Sequence, residues 1–569
     1  MLSYAQPLNF EWSRQMGGES YDYAASVAVD NLGNVYTAGT FHGTADFDPG
    51  PAVFSLTPFG KEDVFISKLD SLGNFVWAKQ LGGISYEFLG GLALDNEGNV
   101  YTTGGFTNTA DFDPGAGTYN LSTASSGEKD IFISKIDVDG NFMWAKRIGD
   151  DNNDNGYAIA LDQAGNVYTT GVFIQTADFD PGAGEFILTS PDGENGDAFV
   201  LKLTSTGDFV WAKQLGGGSY DYSVSIKVDK TNNVYSAGYF MGTVDFDPGP
   251  AQINKASKGM TDAYILKLDP SGNLVWALTL GGSDADAAQS LALDGMDNVV
   301  ITGIFNETVD FDPGAAVFNL SGESDVFVLK LDAYGNFIWV TAFGGPNTWV
   351  NSIAIDARDD IYLSGYILST TDFTVIQQSV TLTSEGESDV LIAKLDSNGN
   401  FVWVKNIGSA LHDEGSGISV RSSGVFYVTG FFKSTVDFDP SDETFNLSAI
   451  TPDKADIFLL KMNQHETVEI PDDEIIETPD DEVVGIPENA EYAVAAMYPN
   501  PTDGHLNVVA PPTTEIIKVT IINNVGELVF SGDFHGGSRA FDLSTLPAGV
   551  YFVKQQIGKM VSFEKVVKR

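Results

Sequence analysis

The chain has 569 residues, 43% hydrophobic and 12% aromatic, enough for more than one buried core. It carries 78 acidic residues against 30 basic ones, a formal net charge of −48, and such a surface repels nucleic acid and anionic lipid. Cys is absent, which removes disulfides and thiol chemistry, and no apolar run is long enough to span a membrane.

The opening stretch MLSYAQPLNFEW lacks a charged n-region and an apolar h-region, so no signal peptide is expected in it. NFEWSRQMGG, from residue 9, then reads as a strand that begins in the middle of a repeat. Three series mark that repeat, and each counts seven. One is Trp12, Trp77, Trp144, Trp211, Trp276, Trp339 and Trp403. The second is Lys68, Lys135, Lys202, Lys267, Lys330, Lys394 and Lys461. The third is the aspartate of DFDPG, at Asp46, Asp111, Asp178, Asp245, Asp310 and Asp437, with a degenerate copy at Asp372.

The second unit shows the elements in order: GLALD, GNVYTTGGF, DIFISKID and NFMWAKRIG. Each is short, with β-branched and aromatic residues, and Gly/Asn turns lie between them. Four strands in each of seven units predict an all-β, seven-bladed β-propeller over 1–463. The repeats end after DIFLLKMN at 456–463 without a Trp strand of their own. Strand 9–16 is therefore expected to be the outer strand of the last blade, formed by roughly 409–463, hiding edges that an open ring would expose.

Because DFDPG recurs in nearly every unit, it reads first as a turn, with Pro fixing φ and Asp accepting backbone N–H groups. The paired carboxylates, Asp46 with Asp48 and Asp111 with Asp113, leave a cation site as the alternative. DNNDNGYAIALD at 151–162 also fits the start of a calcium loop through Asp151, Asn153 and Asn155. Calcium is the one cofactor the sequence suggests.

The connector into each inner strand holds an acid in six of seven units: Asp22, Glu87, Asp154, Asp221, Asp286 and Asp413, with Thr348 in the sixth. Aromatics accompany it, among them Tyr21, Tyr23, Tyr86, Phe88, Tyr220, Tyr222 and Trp349. On one face near the channel these acids would focus a negative field, and with the aromatics they would suit a sugar or a cation. The alternative is that each acid caps its own connector. Trp349 beside the odd Thr348 marks the unit where a unique site is expected.

Residues 464–491 change character. From Glu466 to Glu491 there are 11 acidic residues and no basic one, with prolines between them, which predicts an extended linker. Residues 492–569 form a separate module with seven basic and six acidic residues. Its short strand-like runs, HLNVVA, IIKVTIINN and GVYFVKQQ among them, predict a small Ig-like β-sandwich.

At this point two resemblances can be stated. LDNEGNVYTTGGF, DFDPG, DIFISKID and GNFMWAK resemble the SBBP-type propeller repeats of bacterial secreted proteins. YPNPTDGHLNV, NNVGELVF, LSTLPAGVYFVK and the basic end KVVKR resemble the type A C-terminal sorting domain of the type IX secretion system. Asn500, Pro501, Gly504, Gly526, Gly549, Tyr551 and Lys565 carry the second resemblance. It implies a Gram-negative bacterium of the Bacteroidota, export through the type IX machinery, and delivery to the medium or the outer-membrane surface.

Catalysis is poorly supplied. The propeller has two histidines, His42 and His412, in different units, and neither a Ser-His-Asp order nor zinc spacing can be assembled. The expected function is that of a secreted or surface-displayed binding, adhesion or scaffold module, with a glycan or another surface protein as ligand. A polysaccharide-degrading enzyme using carboxylates on the channel face is the alternative.

Overall fold

A short polar phrase, Asp-x-x-Gly-Asn, starts the ordering of the first unit. In the computed structural model of the protein, the N–H groups of Leu32 and Asn34 donate to Asp30 Oδ1 at 2.9 and 2.8 Å, and the Asn34 amide donates to Oδ2 at 2.7 Å. Gly33 sits at φ 88°, where a Cβ would be strained. Where the glycine is replaced in later units, Asn232, Asp297 and Asp359 hold φ at 63–65°. The turn joins the inner strand Asp22–Val29 to the second strand Val35–Phe41. Buried Asp162, Asp229, Asp294 and Asp356 fix the same turn elsewhere.

The structure describes residues 8–464, apart from 192–194, 250, 376–377 and 442, together with seven strands between 496 and 568. The described residues contain strands and no helix. The chain divides into two compact units, Met1–Glu469 and Ile470–Arg569.

In the first unit the strands fall into seven antiparallel sets of four, here called blades. The first blade runs Asp22–Val29, Val35–Phe41, Asp63–Leu69 and Phe75–Gly83 from inside to outside. Its register places Tyr36 opposite Lys68, and Lys68 opposite Trp77. Partners directly opposite share a face, so Tyr, Lys and Trp form one row. The last set takes its strands from both ends of the unit. Glu414–Val420, Phe426–Phe432 and Asp456–Gln464 are followed by the N-terminal Leu8–Gly18, with Trp12 opposite Lys461. Inner strands of successive blades touch, and Asp22–Val29 also touches Glu414–Val420.

The core lies between blades. One cluster joins Ile66 and Leu81 of the first blade to Leu89 and Phe132 of the second, and another joins Met16 and Ile457 to Phe41 and Phe65. Most of the Trp and Lys series are latches across these seams, whereas Trp12 and Trp403 Nε1 find no acceptor among the described residues, and Lys135 and Lys330 pair with Asp95 and Asp294 of their own blades. Trp77 Nε1 and Lys68 Nζ both donate to Val138 O, in the outer turn of the next blade, at 3.2 and 3.0 Å. Trp144, Trp211, Trp276 and Trp339 repeat the Trp bond to Ser205 O, Pro270 O, Ala333 O and Ser397 O at 3.1–3.3 Å. At the seam between the last and first blades Lys461 donates to Ser71 O at 3.0 Å, and Arg14 donates to Gly73 O at 2.9 Å.

DFDPG forms an arm that crosses the same seams. In the second blade Ala110 and Asp111 pair with Gly83 and Gly82, at the end of the preceding outer strand. Phe112 is buried, edge-on to Phe106 and tilted against Phe132, with centroids 5.4 and 5.0 Å away.

The second unit has a three-stranded sheet, Ala496–Tyr498, His505–Ala510 and Gly537–Asp542. A four-stranded sheet follows in the order Leu528–His535, Ile516–Asn523, Gly549–Ile557 and Met560–Lys568, with Val519, Ile521 and Val553 buried. Gly549 and Tyr551 lie on one strand and Lys565 on the next. Asn500, Pro501, Gly504, Gly526 and residues 465–491 lie outside the described residues.

Candidate functional site

The expected cation residues can be placed first. The N–H groups of Asp48 and Phe54 donate to Asp46 Oδ1 at 3.0 and 2.8 Å, and Gly50 N–H donates to Asp48 Oδ1 at 2.8 Å. Asp111 and Asp113 repeat the pattern with the N–H groups of Asp113, Tyr119 and Gly115. Asp151 Oδ1 accepts from Ser125 Oγ at 2.6 Å, Asn153 Oδ1 accepts from Lys129 N–H at 3.1 Å, and Asn155 opens an inner strand. These side chains tie loops together, and among the described residues no group of three or more His, Asp or Glu is placed to hold a metal ion.

The acids of the inner-strand connectors do not stand on the channel face. Asp22, Glu87, Asp154, Asp221, Asp286 and Asp413 are all buried, each at a seam between blades. Asp22 Oδ2 accepts Gly18 N–H from the preceding outer strand at 2.8 Å, and Oδ1 accepts His42 N–H from the end of its own second strand at 3.1 Å. Asp286 does the same with Gly282 and Asn306, and Asp413 with Ser409 and Lys433. The physical reason is that the connector crosses a seam where chain ends leave unpaired N–H groups, and a carboxylate satisfies them. In the sixth blade Thr348 replaces the acid, with Oγ1 2.9 Å from Thr371 Oγ1.

A second acid, missed in the sequence, lies close to Asp22, Glu87, Asp154, Asp286 and Asp413. It belongs to a series on the third strands, Asp63, Asp130, Asp197, Asp262, Asp325, Asp389 and Asp456, at or near the start of the strand except in Asn254–Leu268 and Asn319–Leu331, where Asp262 and Asp325 lie mid-strand. The period was visible, but one charged residue at the head of an alternating strand reads as an ordinary solvated end. A Cβ on Gly17 would lie 2.8 Å from Asp456 Cγ and 3.2 Å from Asp22 Oδ2. One on Gly149 would lie 2.6 Å from Asp154 Oδ2 and 3.0 Å from Asp130 Oδ1. The facing oxygens Asp63 Oδ1, Glu87 Oε1, Asp130 Oδ1 and Asp456 Oδ1 are buried without a donor. Two buried carboxylates in contact cannot both be charged cheaply, and one proton between them supplies the missing donor. Burial accordingly raises Asp22 to about 7 and Glu87 to about 8, and Asp130, Asp286, Asp413 and Asp456 to about 6. These pairs hold blades together and offer no carboxylate to a solvent ligand.

What remains for a ligand is aromatic. At the rim where the inner strands begin, Tyr21 stacks on Tyr23 and Tyr23 meets Phe431 edge-on, at 6.1 and 4.9 Å. His412 lies 5.2 Å from Phe431 and 6.1 Å from Tyr366, which stacks on Trp349 at 6.3 Å. This arc joins the first, seventh and sixth blades. A second arc, through the second, third and fourth, is Phe88, Tyr157, Tyr222 and Tyr239, with spacings of 6.2, 6.1 and 5.2 Å. Tyr86, Phe88 and Tyr220 are 46%, 39% and 50% exposed, so this rim faces solvent. The fifth blade interrupts the arcs, with Ala285 and Ala287 flanking its acid.

Polar groups stand among the rings. His412 Nε2 is 3.5 Å from Glu414 Oε2, and Asn351 Nδ2 donates to Glu414 Oε1 at 2.9 Å. His42 Nε2 is 3.7 Å from Glu62, and Lys454 Nζ donates to Tyr21 Oη at 3.1 Å. Burial pushes the Tyr366 phenol up to about 12, so it stays a neutral donor. Tyr157, Tyr239 and Tyr366 escaped sequence reading because each lies beyond the connector, and only the fold brings them to it.

One arrangement looks catalytic and is not. Ser388 Oγ bonds His412 Nδ1, and His412 Nε2 faces Glu414. Ser388 is completely buried, and its Oγ also donates to Asp413 O at 3.0 Å. A nucleophile must reach its substrate, so this triplet fastens two blades together.

The comparisons now have a geometry to meet. A Beta-propeller repeat model matches residues 11–44, 144–172 and 210–239, and a Secretion system C-terminal sorting domain model matches 496–569. An uncharacterized WD repeat-containing protein of Acanthamoeba polyphaga mimivirus is 22% identical over 446 residues, covering 65% of this chain and 32% of its own length. The regulatory protein FlaEY of Caulobacter vibrioides is 24% identical over 258 residues, covering 42% of this chain and 26% of its own length. The chain thus spans a third or less of the length of these curated relatives. Among solved structures, Sqt1 from Chaetomium thermophilum has a TM-score of 0.37 at 10% identity, covering 78% of this chain and 88% of that one. PorZ, a surface component of the type IX secretion system of Porphyromonas gingivalis, has a TM-score of 0.24 at 8% identity, covering 98% of this chain and all of that one. No helix among the described residues is long and apolar enough to cross a membrane. The chain thus carries SBBP-type β-propeller repeats and, at 496–569, a type IX secretion sorting domain, which marks export to the secreted or cell-surface compartment in Bacteroidota.

Proposed function

We propose that residues 8–464 form a closed seven-bladed propeller and that it binds a glycan on the rim where the inner strands begin. The N-terminal strand completes the last blade, and the acidic stretch 464–491 tethers the propeller to 492–569. That module is read as an Ig-like sandwich recognised by the type IX machinery. One observation carries the binding reading: aromatic rings from six blades gather on one solvent-facing rim, beside Glu62, Glu414, His42 and His412. Aromatic faces stack on the apolar faces of sugar rings, and carboxylates and imidazoles bond their hydroxyls. The role is adhesion or scaffolding.

The test is a glycan array probed with the full chain and with Trp349→Ala. A set of glycans held by the wild type and weakened about tenfold or more by Trp349→Ala is the expected result. No retained glycan, or equal retention by both proteins, contradicts the reading.

A further inference from the structure

The far end of the inner strands encloses a cavity of about 420 Å³, lined by residues of all seven blades. Its walls are mixed: the apolar side chains of Val27, Leu92, Ile159, Leu293, Ile353 and Val420 stand beside polar backbone, Ser419 and Lys227. One position points the same way in each blade. It is alanine in five blades, as at Ala93 and Ala160, and Ser419 in another, whereas in the fourth blade it is Lys227. The repeat thus places a small side chain six times and a cation once. No ion pair or hydrogen bond of the Lys227 ammonium is found among the described residues. Its side chain keeps contact with water because the cavity is open, yet protein surrounds it, and desolvation lowers its pKa.

The repeat places alanine or serine here in the other six blades, so packing does not require a cation at this position, and none of the neighbouring carboxylates neutralises it. Asp229, two residues on, does not serve as the counter-ion. Its carboxylate is occupied by Asn233, Thr231 and Lys267, the last at 3.6 Å.

We propose that this cavity is a second binding site, and that it takes a small carboxylate with an apolar body, the carboxylate on Lys227 and the body along the Val, Leu and Ile walls. A multiply charged anion such as phosphate would meet a single cation there. The net charge of −48 opposes anion approach, but at physiological salt the field of distant acids is screened within about 8 Å.

The experiment is calorimetric titration of the full chain with hexanoate at pH 7 and physiological salt, with hexan-1-ol as the uncharged probe. The wild type should bind one hexanoate. Lys227→Met, which keeps the stem and removes the charge, should bind it at least about tenfold more weakly. Hexan-1-ol should not distinguish the two. Lys227→Arg should retain binding, and it keeps the test open if Lys227→Met melts early. Absence of hexanoate binding to the wild type, equal binding by Lys227→Met, or loss of binding in a folded Lys227→Arg would overturn the proposal. None of these outcomes bears on the glycan reading, which concerns the opposite rim.

Discussion

At Gly82 a Cβ would lie 2.3 Å from the Cγ of Asp63, inside the space that a buried carboxylate already occupies. The first glycine in QMGG, QLGG, RIGD and their repeats is therefore a packing requirement imposed by the acid on the neighbouring strand of the same blade. Gly82→Ala should destabilise the first unit by about 1–3 kcal/mol, because the acid is held by Gln80 at 2.6 Å and cannot withdraw freely. Urea denaturation measures it, and an unchanged midpoint would show that the packing around Asp63 is more accommodating than its geometry. Phe179 makes a complementary case: buried between Phe173 and Phe199 at 5.3 and 5.0 Å, it should cost about 3–5 kcal/mol on replacement by Ala. The period of such residues was legible in the sequence. Their partners were not, because Trp77 and Val138, or Asp22 and Asp456, are brought together only when blades stand side by side.

The seams as elements carry an expected pH dependence. The unfolded chain releases these protons near pH 4, but the native pairs keep them until about 6 at Asp130, Asp286, Asp413 and Asp456, about 7 at Asp22 and about 8 at Glu87. A folded pKa above the unfolded one means that the native state holds more protons, so stability falls as pH rises through about 4 to 8. The turn acids act oppositely. Hydrogen bonds outweigh desolvation and hold Asp95, Asp229 and Asp294 below the ordinary carboxylate value, and their contribution, complete above about pH 4, is lost as pH falls below it. The first unit should therefore be most stable near about pH 5 and weaker at pH 8.5, as read by chemical denaturation. Glu87→Gln supplies a permanent donor to Asp63 and should lose less stability between pH 7 and 8.5 than the wild type. A parallel loss in both proteins would contradict proton sharing at that seam. The sequence showed the connector acids and left their surroundings open: a carboxylate on a connector is consistent with a channel face or with capping at a seam, and only the Gly18 and His42 N–H groups around Asp22 decide between them.

For the molecule as a whole, the strand at Leu8–Gly18 joins the beginning of the first unit to its end by pairing along Asp456–Gln464. Removing residues 1–18 would expose the edge of Asp456–Gln464 and delete the latch from Arg14 to Gly73 O. The shortened chain should melt lower and associate, as read by thermal denaturation and light scattering, and a monomer with the wild-type midpoint would refute closure by this strand. The fold was readable because strand order follows from the repeat. The rim was only half readable, since Trp349 broke the repeat visibly while Tyr239 and Tyr366 lie on second strands, away from the connector that sequence reading singled out.

The central claim is that acids shared by the blades build the ring, while the aromatic arcs bind. The direct measurement compares affinity for a glycan selected by the wild type in two double variants, Trp349→Ala with Tyr222→Ala, and Asp154→Asn with Asp221→Asn. The account predicts that the aromatic pair loses binding at least about tenfold while its melting temperature is retained, and that the Asn pair shifts the melting temperature and leaves affinity within about twofold. Binding abolished in a folded Asn pair, with full affinity in the aromatic pair, would contradict it.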